Sequence, residues 1–384
     1  MMRPDYDGGS IVNLMASIVM ARGGASDYSP LRNLAPDPLS PSRTLVLFVV
    51  DGLGDRFLNR HGAGGVLLAN RQGSMTSVFP STTATAITTY LTAQAPSQHG
   101  LTGWHMYFKE LDGVLAVLPM RPRTGAPIPA PIADAESFFK HPNVFAAIDD
   151  MSYIVSPIEI IESPFNRAHS GMARRIPYRT MEECFAAIVS LVKNAKERQF
   201  IYAYWPQLDS LAHEYGIEHE HTLTHFAQLE RAIGVLFESL DEQDVTMIVT
   251  ADHGFVDATS DRTIEIEAYP DIARMLRLPL CGERRAAYAY LHPGCHEEFE
   301  AYVKENFAND IVAQPAAQVI EQGYFGPGVP HPKLSERIGD YVLFMNDNAV
   351  IKDWLPGERR YVQIGVHGGL SAEELYVPLI VRTH

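Results

Sequence analysis

Cysteine is scarce in this chain. It occurs three times in 384 residues, as Cys184, Cys281 and Cys295, with no CxxC spacing. That argues against a disulfide framework, and a reducing, cytoplasmic compartment is the expectation. Basic charge is also in short supply. Lysine and arginine number 31 against 46 acidic residues, for a formal net charge of −15. A nucleic-acid polymer or an anionic membrane surface is therefore a poor partner. A small anionic substrate is not, because cations gathered in a site invert the local field. No apolar run reaches the ~20 residues that span a bilayer. The segment "IVNLMASIVMA" at 11–21 has the length of a signal-peptide core, but Asp5 and Asp7 stand where basic residues belong. We read it as an amphipathic helix packed on the body. Internal repeats and low-complexity tracts are missing as well.

What is present reads as an α/β enzyme. The run Leu45–Val50 in "TLVLFVVDGLGD" is apolar without interruption, as in a parallel strand covered on both faces. It ends at Asp51, at the carboxyl end where open α/β sheets place ligands. The same grammar recurs in "FIYAYWPQLD", ending near Asp209, and in "VTMIVTADHG", ending at Asp252 and His253. Between those two, Leu223, Phe226, Leu229, Ile233, Leu236 and Leu240 recur at helical spacing, which predicts a crossover helix. The fold class is thus a mainly parallel central sheet flanked by helices.

Two stretches break the alternation. Residues 105–180 are Pro-rich and predict a long irregular excursion over the site. Residues 270–340 predict a small α+β cap insert, which leaves a core built from 1–269 and 341–384.

The strand-end residues share a chemistry. Asp209 and His213 are four apart, so on a helix they face the same way. Asp252 and His253 are adjacent on a turn, Asp51 ends the first strand, and His367 sits among glycines in "GVHGGLS". Mixed Asp/His ligation suits zinc or manganese better than magnesium or calcium. Six such ligands fit two divalent transition metal ions, the usual clamp for in-line displacement at phosphorus.

The stretch "SVFPSTTATAITTY" places seven hydroxyls between Ser77 and Thr89, before a helical pattern. These oxygens read equally as helix caps or as a nucleophile. Together, "VVDGLGD", "FPSTTATAITTYLTAQAPSQHGLTG", "LDSLAHEYG", "TADHG" and "VHGG" resemble the alkaline phosphatase superfamily, and within it the type I phosphodiesterase/nucleotide pyrophosphatase branch. The resemblance implies that Asp209, His213 and His367 hold one metal, with zinc expected and manganese the alternative. It implies that Asp51, Asp252 and His253 hold the other, together with the oxygen of a nucleophilic Thr83. Ser81 or Thr82 is then the helix cap, with Thr82 the alternative nucleophile. The chain departs from the branch at one position. Trp104 stands where these diesterases carry an asparagine that contacts phosphate, so Trp104 and His105 are the substrate-binding candidates.

The implied function is two-metal hydrolysis of a phosphodiester or pyrophosphate-type bond in a small phosphate ester or nucleotide-like substrate, through a covalent phosphothreonine. The alternatives are a phosphomonoester or phosphonate hydrolase, a phosphomutase-like enzyme on the same site, or a non-catalytic metal-binding protein on a retired hydrolase fold. Related phosphoglycerate mutases carry a larger cap. That likeness makes Arg284, Arg285 and Arg337 candidates to reach substrate from above, against plain structural roles.

Overall fold

The computed structural model describes residues 2–123, 139, 141–358 and 360–384. Its centre is the strand Thr44–Val50, buried at every position. It pairs in parallel with Gln199–Trp205 on one side and Val245–Thr250 on the other. The registers bring Val50 level with Trp205, and Val49 level with Thr250. The chain therefore leaves all three strands at the same edge, which is where the residues carrying chemistry lie.

Among the described residues seven strands make up this sheet, in the order Arg71–Thr76, Tyr376–Thr383, Val245–Thr250, Thr44–Val50, Gln199–Trp205, Met151–Pro157, Arg174–Tyr178. Only Tyr376–Thr383 is antiparallel to its neighbours. The expected α/β class with a mainly parallel sheet is what the chain adopts. The crossover helix is Glu220–Ser239, which buries Phe226, Leu229, Ile233 and Leu236 on one stripe.

Two expectations need correction. The stretch 105–180 is not one irregular excursion, since Met151–Pro157 and Arg174–Tyr178 are strands of the central sheet. Their Pro and Arg content hid them, because both lie towards an edge, where a continuous apolar run is not required. The helix Ile11–Ala21 is not amphipathic in its burial either: every residue but Met20 is buried. Its polar residues are satisfied internally, with Asn13 donating to the Tyr6 and Ser29 carbonyls. No helix among the described residues is long and apolar enough to cross a membrane.

A second sheet of seven strands takes His105–Phe108, Gly113–Ala116 and Arg121–Pro122 from one part of the chain. The other four are Cys281–Gly282, Ala286–Ala289, Ile311–Pro315 and Tyr341–Met345. The parts meet where Gly282 pairs with His105. The predicted helices of this region form over His296–Asn306 and Ala316–Glu321.

Away from the sheet edge, four histidines crowd together. His141 Nδ1 lies 3.0 Å from His169 Nε2, and the His99 and His331 rings stand 6.2 Å and 6.3 Å from that of His141. Only one proton fits between His141 and His169. Burial is the main reason His141 is held down to about 3 and His169 to about 4. Unfolded, each would titrate near 6.5. The unfolded chain therefore binds protons that the folded one refuses, and stability falls as pH drops from about 6.5 towards 4. At pH 5 each of the two should cost about 2 kcal/mol. Urea unfolding of wild type and His169→Gln at pH 7.5 and pH 5 measures this. The variant should lose about 2 kcal/mol less than wild type between the two pH values, and equal losses would refute the assignment.

Candidate metal centre and its cleft

Asp51 is delivered by the end of the central strand, and the turn behind it needs glycine. Gly52 has φ +79°, and a Cβ there would meet the Phe255 ring at 2.6 Å and the Asp209 Cα at 3.3 Å. This close approach brings the Asp209 helix, Gln207–Tyr215, against the Asp51 turn. Asp209 and His213 share a face of that helix, with His213 Nε2 3.4 Å from Asp209 Oδ1. His367 Nε2 is 3.2 Å from His213 Nε2 and 3.8 Å from Asp209 Oδ1. On the other side, His253 Nε2 lies 3.3 Å from Asp51 Oδ1 and 3.5 Å from Asp252 Oδ2. The two halves touch through the His253 and His367 rings, stacked at 3.7 Å. All six residues expected from the sequence come together.

The donor atoms pass a test for cations. Tyr204 donates to Asp51 Oδ2, and the amides of Gly52 and His253 donate to Asp252 Oδ1 at 3.1 and 3.0 Å. That leaves Asp51 Oδ1, Asp252 Oδ2 and Asp209 Oδ1 buried with no hydrogen-bond partner. The Nδ1 atoms of His213 and His253 face the Gly365 and Gly254 carbonyls at 2.8 and 3.1 Å. Donation there fixes the tautomer that turns the Nε2 lone pair into the cluster. Ligand atoms of Asp51, Asp252 and His253 lie within 4.8 Å of one another, as do those of Asp209, His253 and His367.

Electrostatics point the same way. Burial, then the charges of Asp209 and Asp252, push the Asp51 carboxyl well above the usual carboxylate range. Burial raises Asp209 too, and burial with the nearby His253 and His213 holds His367 well below its ordinary value. No lysine or arginine among the described residues pairs with any of the three aspartates. Three carboxylates with buried, unpaired oxygens and no cation are costly, and a divalent ion supplies what the set lacks.

Thr83 opens the helix Thr83–Thr92, with its Oγ1 3.1 Å from His253 Nε2. The expectation that Ser81 or Thr82 caps this helix holds for the position of Thr82 and is corrected for its hydroxyl. Thr82 occupies the cap position in extended conformation, but its side chain makes no cap bond. Its hydroxyl donates instead to Glu283 Oε1 at 2.7 Å, and Ser81 donates to the Gly369 carbonyl at 2.7 Å. The Thr83 and Ala84 amides find no acceptor among the described residues, so the positive end of the helix stays open beside the Thr83 hydroxyl.

Trp104 and His105 line the same cleft, of about 230 Å³, as Thr83, Asp209, His213 and His367. The main-chain amide of Trp104 is already engaged, donating to Glu283 Oε1 at 2.6 Å. Burial, then the nearby Arg123 and Arg284, hold His105 neutral, down to about 3. Glu283 was not foreseen. It lies beside the arginines that drew attention, and nothing in "GERR" says that its carboxyl reaches back to Thr82. Burial pushes it up to about 7. The three cap arginines divide. Arg285 is buried in a two-bond pair with Glu374, at 3.0 and 2.8 Å. Arg337 donates to the Gly100 carbonyl at 3.0 Å, under the Phe108 ring. Only Arg284 lines the cleft.

A family model described as type I phosphodiesterase / nucleotide pyrophosphatase matches residues 45–370. No curated protein matches the chain. Among solved structures, murine ectonucleotide pyrophosphatase / phosphodiesterase 5 is 18% identical with a TM-score of 0.65, covering 87% of each chain. An inactive variant of that murine protein, in complex with AMP, is 17% identical with a TM-score of 0.64 over 87% of each chain. Phosphonoacetate hydrolase from Sinorhizobium meliloti, in complex with phosphonoacetate, is 18% identical with a TM-score of 0.64, over 89% of this chain and 90% of that one. At such identities the likeness is one of fold.

Proposed function

The chain belongs to the type I phosphodiesterase / nucleotide pyrophosphatase family, and from this premise we propose that it is a two-metal hydrolase cleaving phosphodiesters through a phosphorylated Thr83. The supporting observation is the set of three buried, unpartnered carboxylate oxygens facing three imidazoles beside the Thr83 hydroxyl. In this reading Asp209, His213 and His367 hold one ion, and Asp51, Asp252, His253 and the Thr83 oxygen hold the other. Zinc is the expected metal and manganese the alternative. When bound, such ions supply Lewis acidity and stabilise charge on the oxygens around phosphorus.

The chain's own groups do the rest. The Thr83 hydroxyl gives its proton to solvent and its oxygen attacks phosphorus in line; the opposite P–O ester bond breaks, that arm leaves as an alcohol after taking a proton from water, and the open Thr83 and Ala84 amides receive a phosphoryl oxygen. Water then attacks phosphorus and breaks the Thr83 O–P bond, which releases the phosphomonoester product and restores the Thr83 hydroxyl. Glu283 holds the Thr82 hydroxyl and the Trp104 amide, so it fixes the strand–helix turn that aims Thr83. A phosphomonoester carries an extra negative charge at phosphorus and calls for a cation beside the nucleophile. Nothing between Phe79 and Trp104 is basic except His99, which is buried and held neutral. The diester reading follows.

Hydrolysis of a phosphonate on the same machinery is the second reading, favoured by a cleft smaller than the ~300–1,000 Å³ typical of drug-sized ligands. Turnover of matched aryl phosphodiesters and monoesters on one metal-loaded preparation tests the first. A higher kcat/KM for the diester is expected. A tenfold preference for the monoester, about 1.4 kcal/mol in transition-state binding, would overturn it.

A further inference from the structure

Among the described residues three cations line the cleft together with Asp209, His213 and His367: Arg123, Arg284 and Lys352. Two are neutralised. Arg123 pairs with Asp353 at 2.8 Å and Glu358 at 3.2 Å, and Lys352 pairs with Glu265 at 2.9 Å. Arg284 differs: among the described residues no carboxylate lies within ion-pair distance of it, and what it lies against are the Tyr361 and Trp354 rings. It is half-buried, with its guanidinium 5.0 Å from the centre of the Tyr361 ring and 5.7 Å from that of Trp354. Stacking on rings orients a planar guanidinium and leaves its N–H edge free to fork onto an anion. Leaving a charge partly desolvated and unpaired is unfavourable, and an anionic ligand offsets that cost.

The same geometry bears on what else the cleft accepts. Trp354 also has Lys352 at 4.7 Å and Arg360 at 5.8 Å. Its faces are taken by cations and do not stand open for a stacked base. We infer that Arg284, held between Trp354 and Tyr361, is the recognition point for a second anionic group, a carboxylate or phosphoryl, on a small substrate whose phosphorus sits at Thr83. This deepens the proposed function and rests on its placing of phosphorus. Substrates whose leaving or spectator arm ends in an anion are then preferred over neutral-armed ones of the same length.

Calorimetric titration of the metal-loaded protein with 3-phosphonopropionate, propylphosphonate and ethane-1,2-diphosphonate tests it. The first two differ in one carboxylate, and the third replaces that carboxylate by a phosphoryl group. Wild type should bind at least one of the two doubly anionic ligands ten or more times more tightly than propylphosphonate. Arg284→Met should bring that ratio to threefold or less, with propylphosphonate affinity moving far less. The ligand that loses more identifies the second group. Should the methionine variant fail to fold, Arg284→Lys, which keeps the charge without the planar fork, should still lower the ratio. A ratio near one in wild type, or one unchanged by either variant, overturns the inference. Hydrolysis of bis(4-nitrophenyl) phosphate by the same wild-type preparation separates the two claims. Turnover with no ratio sinks the Arg284 site alone, whereas a ratio without turnover of any ester supports Arg284 and sinks the hydrolase reading.

Discussion

Thr83→Ala should lose turnover by about 10⁴-fold or more, the scale seen when a catalytic nucleophile is removed, while keeping its fold. The expectation follows from position. The Thr83 oxygen stands 3.1 Å from His253 Nε2, at the mouth of a helix whose first amides are open. Thr83 is the first residue of its helix, so trimming its side chain to a methyl leaves the helix backbone in place. The control is Thr82→Ala. Its hydroxyl bonds to Glu283 and not to the helix, so the variant should lose some alignment of the turn, about tenfold in kcat at most by the cost of one hydrogen bond. Assays of both variants with an aryl diester, alongside metal content, decide the matter. A dead Thr82→Ala beside an active Thr83→Ala would move the nucleophile by one residue.

Metal removal should have an effect as large. Gently purified protein should contain about two equivalents of transition metal per chain, and dialysis against a chelator should abolish activity that Zn²⁺ or Mn²⁺ restores. Stability should fall too, because ions that bind only the folded chain stabilise it by mass action, about 2.7 kcal/mol per site at a hundredfold excess over Kd. The three stranded carboxylate oxygens make the direction unambiguous: stripping the ions leaves Asp51, Asp209 and Asp252 to repel one another in a buried site. Full activity with stoichiometric Mg²⁺ alone, or an unfolding midpoint indifferent to chelator, would count against the two-metal reading.

Much of the site was legible because its parts lie at grammatical positions. An apolar run followed by an aspartate marks the end of a buried strand, and three such ends, at Asp51, Asp209 and Asp252, had to share one edge once the sheet was parallel. Asp209 and His213 were legible from helical spacing alone. The cap position at Thr82 was legible, but the bonds of the Ser81 and Thr82 hydroxyls were not, because their acceptors, the Gly369 carbonyl and Glu283, come from residues 200 or more positions away. Glu283 and Tyr204 escaped for the same reason, since both act through long-range contacts that leave no periodic trace. Arg174–Tyr178 escaped because an edge strand tolerates polar and proline residues, and Met151–Pro157, next to it, because it too carries no continuous apolar run.

The place of the strand Tyr376–Thr383 sets the order in which this molecule can come into being. It does not close an edge. It lies inside the central sheet, hydrogen-bonded to Arg71–Thr76 on one side and to Val245–Thr250 on the other. Until it arrives, Arg71–Thr76 has no partner in the sheet, and Val245–Thr250 presents a bare edge. On the ribosome, every other strand emerges before the one that joins them, so the nascent chain must wait with its adhesive border uncovered. Pairings this distant along the chain are slow to form. A fragment that stops short of Tyr376 would retain all six metal-ligand candidates and still lack a finished sheet to hold them.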